Sequence, residues 1–131
     1  MNFTSDNAAG AAPEILAALA RANDGTAASY GSDDITRRVT EKLSKVFEKD
    51  VAVFPVATGT AANALSIATL TPHFGAVFCH EGAHIHVDEC GAPEFFSQGA
   101  KLVPVKGAHG KLTPEGIKSA HARFQKGDVH H

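Results

Sequence analysis

The sequence predicts an α/β protein, with an N-terminal helical arm followed by the first part of a mostly parallel sheet flanked by helices. After residue 50, short apolar segments rich in β-branched residues alternate with helical segments, the pattern of parallel strands joined by helices. Before residue 50, the chain contains only amphipathic helical segments and loops of small residues. We therefore expect an arm over residues 1–49 and an incomplete sheet-containing domain over residues 50–131.

Two helices are predicted in the arm. The first covers residues 12–24, with Pro13 in its first turn and an Asn-Asp-Gly sequence at its end. The second covers residues 35–49, where the apolar residues lie on one stripe at helical spacing: Ile35, Val39, Leu43, Val46 and Phe47. The arm lies outside the strand and helix alternation, so we expect its apolar faces to pack against another element, such as a second subunit.

The predicted sheet has three strands, over residues 50–56, 75–80 and 101–107. Pro104 indicates an edge or irregular position for the last of them, because proline cannot donate a ladder hydrogen bond. The helices that alternate with these strands are predicted at residues 61–70, within residues 90–100 and from Thr113 to about Phe124, with Thr113 as the cap and Pro114 in the first helical position.

Composition and charge exclude several classes of protein. Apolar residues make up 44% of the chain and charged residues 20%, typical of one globular domain. The net charge of -2, with scattered Lys and Arg, argues against nucleic acid as a partner. No apolar run approaches the roughly 20 residues that span a bilayer, and the N-terminus does not resemble a secretory signal. The two cysteines are expected to be free thiols in a cytoplasmic protein.

A small-residue turn, Ala-Thr-Gly-Thr at residues 57–60, lies between a predicted strand and a predicted helix. Helix N-termini present backbone N–H groups without acceptors and a partial positive charge, which suit a phosphate. Gly59 would allow close approach of an anion, and the Thr58 and Thr60 hydroxyls could add hydrogen bonds. An ordinary turn capped by threonine explains the same residues, and no complete nucleotide-binding motif is present.

The segment His-Glu-Gly-Ala-His-Ile-His-Val-Asp-Glu-Cys, residues 80–90, concentrates three histidines and three carboxylates. On a strand, His84, His86 and Asp88 would face one side and could begin a metal site. A helix starting near Ile85 would separate the two histidines. If the preceding strand ends at the carboxyl edge of a parallel sheet, His84 would instead lie near the 57–60 turn, where ligands of such sheets bind.

Four motifs in order closely resemble the N-terminal part of the low-specificity L-threonine aldolases. They are Phe-Thr-Ser-Asp from residue 3, Ser-Tyr-Gly-Ser-Asp-Asp from residue 29, the segment around the 57–60 turn, and residues 80–96. This family belongs to the β-eliminating lyase group of fold-type I enzymes that use pyridoxal 5'-phosphate (PLP). The resemblance implies part of an aspartate-aminotransferase-like large domain, an amino-acid substrate and a homotetramer with sites between subunits.

The resemblance also implies roles for particular residues. Ser5 matches the serine that helps hold the substrate carboxylate, and Tyr30 matches a substrate-site tyrosine. Gly59 and Thr60 match the loop that binds the cofactor phosphate.

Two further residues match the reaction centre of the family. His84 matches the histidine that stacks on the cofactor ring and is a candidate for proton transfer at the substrate hydroxyl. Glu89 matches an acidic residue beside it. The implied reaction is retro-aldol cleavage of L-threonine-like amino acids to glycine and an aldehyde.

None of the lysines in residues 1–131 lies in the motif of the family's Schiff-base lysine, which relatives carry further along their sequences. The chain also closes on a Gly-Asp turn and Val-His-His, typical of the start of a buried strand. We therefore expect an N-terminal part of a longer enzyme that is inactive alone. Two alternatives remain at this stage: a related PLP-dependent β-eliminating lyase, and a metal-binding module built on His84 and His86.

Overall fold

The structure, a computed structural model, describes residues 8–124. The chain divides into two compact units, Met1–Phe54 and Pro55–His131. This division lies close to the predicted end of the arm at residue 49, and the roles assigned to the two parts stay predictions. Within residues 8–124, no helix combines the length and apolar character needed to cross a membrane.

The described part of the first unit is helical, as the sequence predicts. Helix α1 covers Pro13–Ala22, with proline in its first turn, and α2 covers Asp34–Val46. The Asp33 carboxylate caps α2 by accepting hydrogen bonds from the backbone N–H groups of Ile35 and Thr36, both at 2.9 Å. The Thr36 hydroxyl donates a further bond to this carboxylate, and these bonds together lower the pKa of Asp33.

The prediction of a strand at residues 50–56 is wrong, because these residues form neither strand nor helix. A strand needs a hydrogen-bonded neighbour, and the two strands in the described part of the chain pair only with each other. Near the start of this segment, the Val51 N–H instead donates to the Ser44 hydroxyl oxygen at 3.3 Å. The segment therefore has the apolar composition of a buried strand, but no described strand pairs with it.

The second unit is built on two parallel strands, β1 (Ala76–His80) and β2 (Lys101–Val105), in register from Ala76 opposite Lys101 to His80 opposite Val105. Helix α3 (Gly59–Leu70) precedes β1. Between the strands lie the short helices α4 (His84–Val87) and α5 (Ala92–Phe96). After β2 come a 3₁₀ turn (Ala108–Gly110) and α6 (Pro114–His121). These elements confirm the α/β fold class.

Small side chains make the core of this unit. Helix α3 packs on α5, and α6 packs on β2. The buried apolar residues come from these elements, from β1 and from the residue before β2: Ala64, Cys79, Pro93, Ala100, Leu102, Val105 and Ala120. Pro104 lies inside β2, opposite Cys79. Thr113 caps α6 by accepting from the Gly116 N–H at 3.1 Å, as the sequence predicts.

A histidine fixes the carboxyl end of β1. The His80 Nδ1 accepts from the Gly82 N–H at 3.0 Å, so its Nε2 is the nitrogen that donates to the Gly107 carbonyl at 2.8 Å. Gly107 must be a glycine here, because a Cβ atom would collide with the backbone of Lys111. His80 thus joins the residues that follow β1 to those that follow β2.

Candidate active site

The first feature of the site is the N-terminus of α3. The Thr58 hydroxyl accepts from the Ala61 N–H at 3.1 Å, so the predicted threonine cap is present. Gly59 and Thr60 are the first two helical residues, and their N–H groups point out of the helix without acceptors inside it. A Cβ at Gly59 would meet no atom within 4 Å. The helix end is therefore capped by Thr58, and no described residue fills the space beside Gly59.

The second feature is a histidine and glutamate pair after β1. His84 begins α4, and its Nδ1 lies 2.7 Å from Oε1 of Glu89. The His84 side chain is 64% exposed, whereas the Glu89 side chain is 0% exposed. The pair therefore joins a buried carboxylate to a ring that is open to a ligand. The structure brings together the two residues that the sequence resemblance assigned to the reaction centre, and their catalytic roles stay predictions.

Asn63 joins this pair to α3. Its Nδ2 donates to the same Glu89 Oε1 at 2.6 Å. Because Asn63 lies three residues after Thr60 on α3, the two residues lie on neighbouring parts of one helix face. Asn63, one turn after Gly59 on α3, is thus joined to the His84 ring by two hydrogen bonds that meet at Glu89.

The charge of Glu89 is set by opposing effects. Burial raises the pKa of Glu89, but hydrogen bonds from Asn63 and His84, together with attraction to a charged His84, outweigh burial and lower it below the ordinary value. Glu89 is therefore ionised at neutral pH and can only accept hydrogen bonds. Its other oxygen, Oε2, is buried and has no partner among the described residues.

The ionised Glu89 determines which nitrogen of His84 carries the proton. Since the carboxylate cannot donate, Nδ1 of His84 must hold a proton to make the 2.7 Å bond. In the neutral ring, Nε2 then carries a lone pair. The site consequently offers an exposed base whose other nitrogen is held by a buried negative charge, an arrangement suited to accepting a proton.

Of the two conformations considered for this segment, the structure has the helical one, because His84 and His86 both lie on α4. Residues two apart on a helix point about 200° apart. Across residues 8–124, no group of three or more His, Cys, Asp or Glu side chains is placed to hold a metal ion. The metal-binding alternative therefore gains no support from this segment.

The structure describes only one of the two predicted substrate-binding residues, and it does not test the role of either. Tyr30 belongs to the first unit, where its side chain is fully exposed and its φ is +60°, a conformation that is uncommon for residues other than glycine. Ser5 lies outside the described residues. The roles of both stay predictions.

Asn63 is the site residue that sequence reasoning missed. The sequence does contain one indication of Asn63, because this residue follows Thr60 by three positions on a predicted helix and so shares its face. An asparagine on an alanine-rich helix has many possible partners, however, and Glu89 lies 26 residues further along the chain. Only the packing of α3 on the segment between the strands selects this partner.

Comparison with known proteins assigns the chain to a family. The sequence profile of the β-eliminating lyases matches residues 2–131. The chain belongs to the β-eliminating lyase family. It is 44% identical to a low specificity L-threonine aldolase of Pseudomonas sp. (strain NCIMB 10558) and 45% identical to one of Pseudomonas aeruginosa, over 98% of this chain in both cases.

A solved structure gives the same likeness in three dimensions. The threonine aldolase of Leishmania major matches 98% of this β-eliminating lyase chain with a TM-score of 0.89 and 28% identity. This match covers 36% of the Leishmania chain. The chain likewise spans 37% of the length of the two Pseudomonas relatives. The resemblance to this group that the sequence motifs indicated is confirmed.

Proposed function

We propose that the full-length protein is a PLP-dependent aldolase that cleaves L-threonine and related β-hydroxy-α-amino acids to glycine and an aldehyde. The observation that carries the proposal is the exposed His84 ring, held by the buried Glu89 and tied through Asn63 to the open N-terminus of α3. Both Pseudomonas relatives are low specificity L-threonine aldolases, which favours this activity over others in the family.

The residues fit the proposed cofactor. Backbone N–H groups of Gly59 and Thr60, together with the positive end of the α3 dipole, would bind the phosphate. Gly59 is exposed, and an added Cβ meets no atom within 4 Å there, so no described residue crowds this position. The exposed face of His84 would stack on the pyridine ring. Bound PLP supplies the electron sink for breaking the Cα–Cβ bond.

His84 is the proposed base. Its Nε2 lone pair would accept the proton of the substrate β-hydroxyl, and the ionised Glu89 would stabilise the imidazolium that results. Because Glu89 is buried and His84 is exposed, the negative charge acts on the ring from the side away from solvent. Ser5 and Tyr30 are proposed substrate-binding residues on the basis of the family motifs, with Ser5 on the substrate carboxylate.

A β-eliminating lyase acting on another amino acid is the second candidate, favoured by the match of residues 2–131 to the β-eliminating lyase family. The two candidates differ in the bond that breaks: Cα–Cβ in the aldolase, and the bond from Cβ to its leaving group in the eliminating enzyme. The exposed His84 ring, which could accept the proton of a β-hydroxyl, favours the aldolase.

Substrate assays of the purified full-length protein with PLP test the proposal. We expect glycine and acetaldehyde from L-threonine, glycine and benzaldehyde from phenylserine, and no pyruvate from cysteine or tryptophan. Pyruvate without glycine would establish the eliminating enzyme instead. Stoichiometric metal by elemental analysis, with no absorbance from bound PLP, would refute both and support the metal-binding module.

We also propose a homotetramer located in the cytoplasm. The apolar face of α1 is exposed in this chain, with Ile15, Leu16 and Leu19 each more than half exposed, and such a face suits burial against a further part of the assembly. The free thiols of Cys79 and Cys90 are ordinary in a reducing compartment. Light scattering coupled to size exclusion measures the assembly, and a monomeric mass for the full-length protein would contradict it.

A further inference from the structure

We propose that Asn63 is a positioning residue of the aldolase site, which anchors Glu89 so that Glu89 holds the His84 ring with its proton on Nδ1. This inference rests on the proposed function for its effect on catalysis. Its structural part, the control of the His84 tautomer, stands on the hydrogen bonds alone. Asn63 itself is not proposed to contact the substrate.

The first step of the argument is that two donors converge on one oxygen. Asn63 Nδ2 and His84 Nδ1 both bond to Glu89 Oε1, at 2.6 and 2.7 Å. The other oxygen is buried without a partner among residues 8–124. A carboxylate bound only through the exposed His84 would be free to turn the unpartnered oxygen toward a donor or toward water. The short bond from Asn63 opposes that rotation.

The second step concerns where the anchor comes from. Asn63 lies on α3, one turn after the residues proposed to bind the cofactor phosphate. A helix is a rigid spacer, so the anchor that orients His84 is fixed relative to the phosphate site. Glu89 therefore receives its position from α3, and passes it to a ring on α4. Functional groups held through a second layer of hydrogen bonds on regular elements keep their geometry best.

The third step concerns the His84 proton. An imidazole without a fixed acceptor distributes its proton over both nitrogens. When Glu89 is held in place, Nδ1 keeps the proton and Nε2 keeps the lone pair needed to accept another. Loss of Asn63 should release Glu89, so part of the His84 population should move to the tautomer with the proton on Nε2. That tautomer cannot accept the substrate proton at Nε2.

The test compares Asn63→Leu, which keeps the size of the side chain but cannot donate, with Ser66→Ala on the same helix as the control. Ring ¹⁵N spectra of the full-length protein without cofactor report the His84 tautomer, and the His84 signals are assigned by their loss in His84→Gln. We expect one protonated Nδ1 in the wild type and in Ser66→Ala, and averaged nitrogen shifts in Asn63→Leu. An unchanged His84 tautomer in folded Asn63→Leu would overturn the proposal.

Kinetics of the enzyme loaded with PLP give a second readout. Hydrogen-bond partners that orient the histidine ligands of metal sites typically contribute about 10- to 100-fold to activity, and we take the same range for a partner that orients His84. We expect Asn63→Leu to lower kcat for L-threonine by about that factor with KM within about twofold of the wild type. Unaltered kcat would contradict the positioning role. If the wild-type protein fails to cleave L-threonine, the proposed function fails, while the tautomer measurement still tests the hydrogen bonds.

A measurement on the wild type covers the case in which Asn63→Leu does not fold. The side-chain amide protons of Asn63 should exchange with solvent at least tenfold more slowly than those of Asn23, whose residue is exposed at the end of α1. Slow exchange follows if the amide is held by Glu89. Exchange of both amides at the same rate would show that Asn63 does not hold the carboxylate, and would overturn the proposal.

Discussion

Replacing Glu89 by glutamine keeps the shape of the side chain and removes its charge, so it isolates the contribution of the buried carboxylate. Glu89 accepts two hydrogen bonds through Oε1, and a bond to an ionised group contributes about 1.5–3 kcal/mol against about 0.5–1.5 for a neutral one. The loss is therefore about 1 kcal/mol for the bond from Asn63, and less for the bond from His84, because the His84 side chain is 64% exposed.

Two further effects oppose each other in this variant. The new amide nitrogen would occupy the place of Oε2, which is buried without a partner among the described residues, and a buried unpaired donor costs about 1–3 kcal/mol. Removal of a buried charge recovers part of its desolvation. We expect Glu89→Gln to lower the free energy of unfolding by about 1–2 kcal/mol at pH 7, on balance of these effects. An exposed carboxylate between β1 and α4, Glu81, provides the control variant Glu81→Gln.

The pH dependence of this difference has a definite sign. The pKa of Glu89 is lowered by folding, because the hydrogen bonds to Oε1 and attraction to His84 outweigh the opposing effect of burial. The stability that the ionised Glu89 contributes to the folded protein is therefore fully present above the pKa of the unfolded side chain. This stability is lost as pH falls through the lower pKa of the folded state. The difference between wild type and Glu89→Gln should shrink below about pH 5.

Urea unfolding followed by circular dichroism measures the free energy of unfolding at each pH. Circular dichroism is chosen because residues 1–131 contain no tryptophan for fluorescence. The wild type, Glu89→Gln and Glu81→Gln are compared at pH 7 and pH 4. Equal stability of the wild type and Glu89→Gln at pH 7 would refute the reasoning. A difference that grows as pH falls would show that the carboxylate is buried without net stabilisation by its partners.

Three other predictions concern separate parts of the chain. Gly107→Ala should lower the free energy of unfolding by about 1–3 kcal/mol, since its Cβ collides with backbone; no loss of urea stability would contradict this contact. A thiol reagent should label the exposed Cys90 well before Cys79, because Cys79 is buried and burial raises its pKa; peptide mass mapping distinguishes them. In the full-length enzyme, His84→Ala should lower L-threonine turnover far more than His86→Ala, and equal losses would indicate paired ligands.

Local chemistry explains what could be predicted of the fold. Thr113 and Pro114 predict the start of α6, and Pro13 predicts the start of α1, because caps and first-turn prolines act within a few residues. The strand predicted at residues 50–56 could not be decided from local sequence alone. Its apolar composition is that of a strand, but a strand also needs a neighbour, and the described chain supplies none for it.

The candidate site likewise combines residues that the sequence predicts with contacts that only the folded structure decides. Motifs in the sequence predict Gly59, Thr60, His84 and Glu89 as site residues, and the family to which the motifs point is the one that the chain matches. Sequence spacing left open whether the His84 side chain lies beside His86 or beside Glu89. The helical turn of α4 decides this, because it separates the two histidines and leaves His84 within 2.7 Å of Glu89.

The sequence by itself determined the fold class, the positions of most helices and the family, because these depend on local patterns and on the order of short motifs. Tertiary structure alone decided that Asn63 of α3 meets a carboxylate 26 residues away. It also decided that the Glu89 side chain is fully buried while His84 stays exposed. Packing between elements sets which polar groups lose water and which partners remain within reach, and no local pattern contains that information.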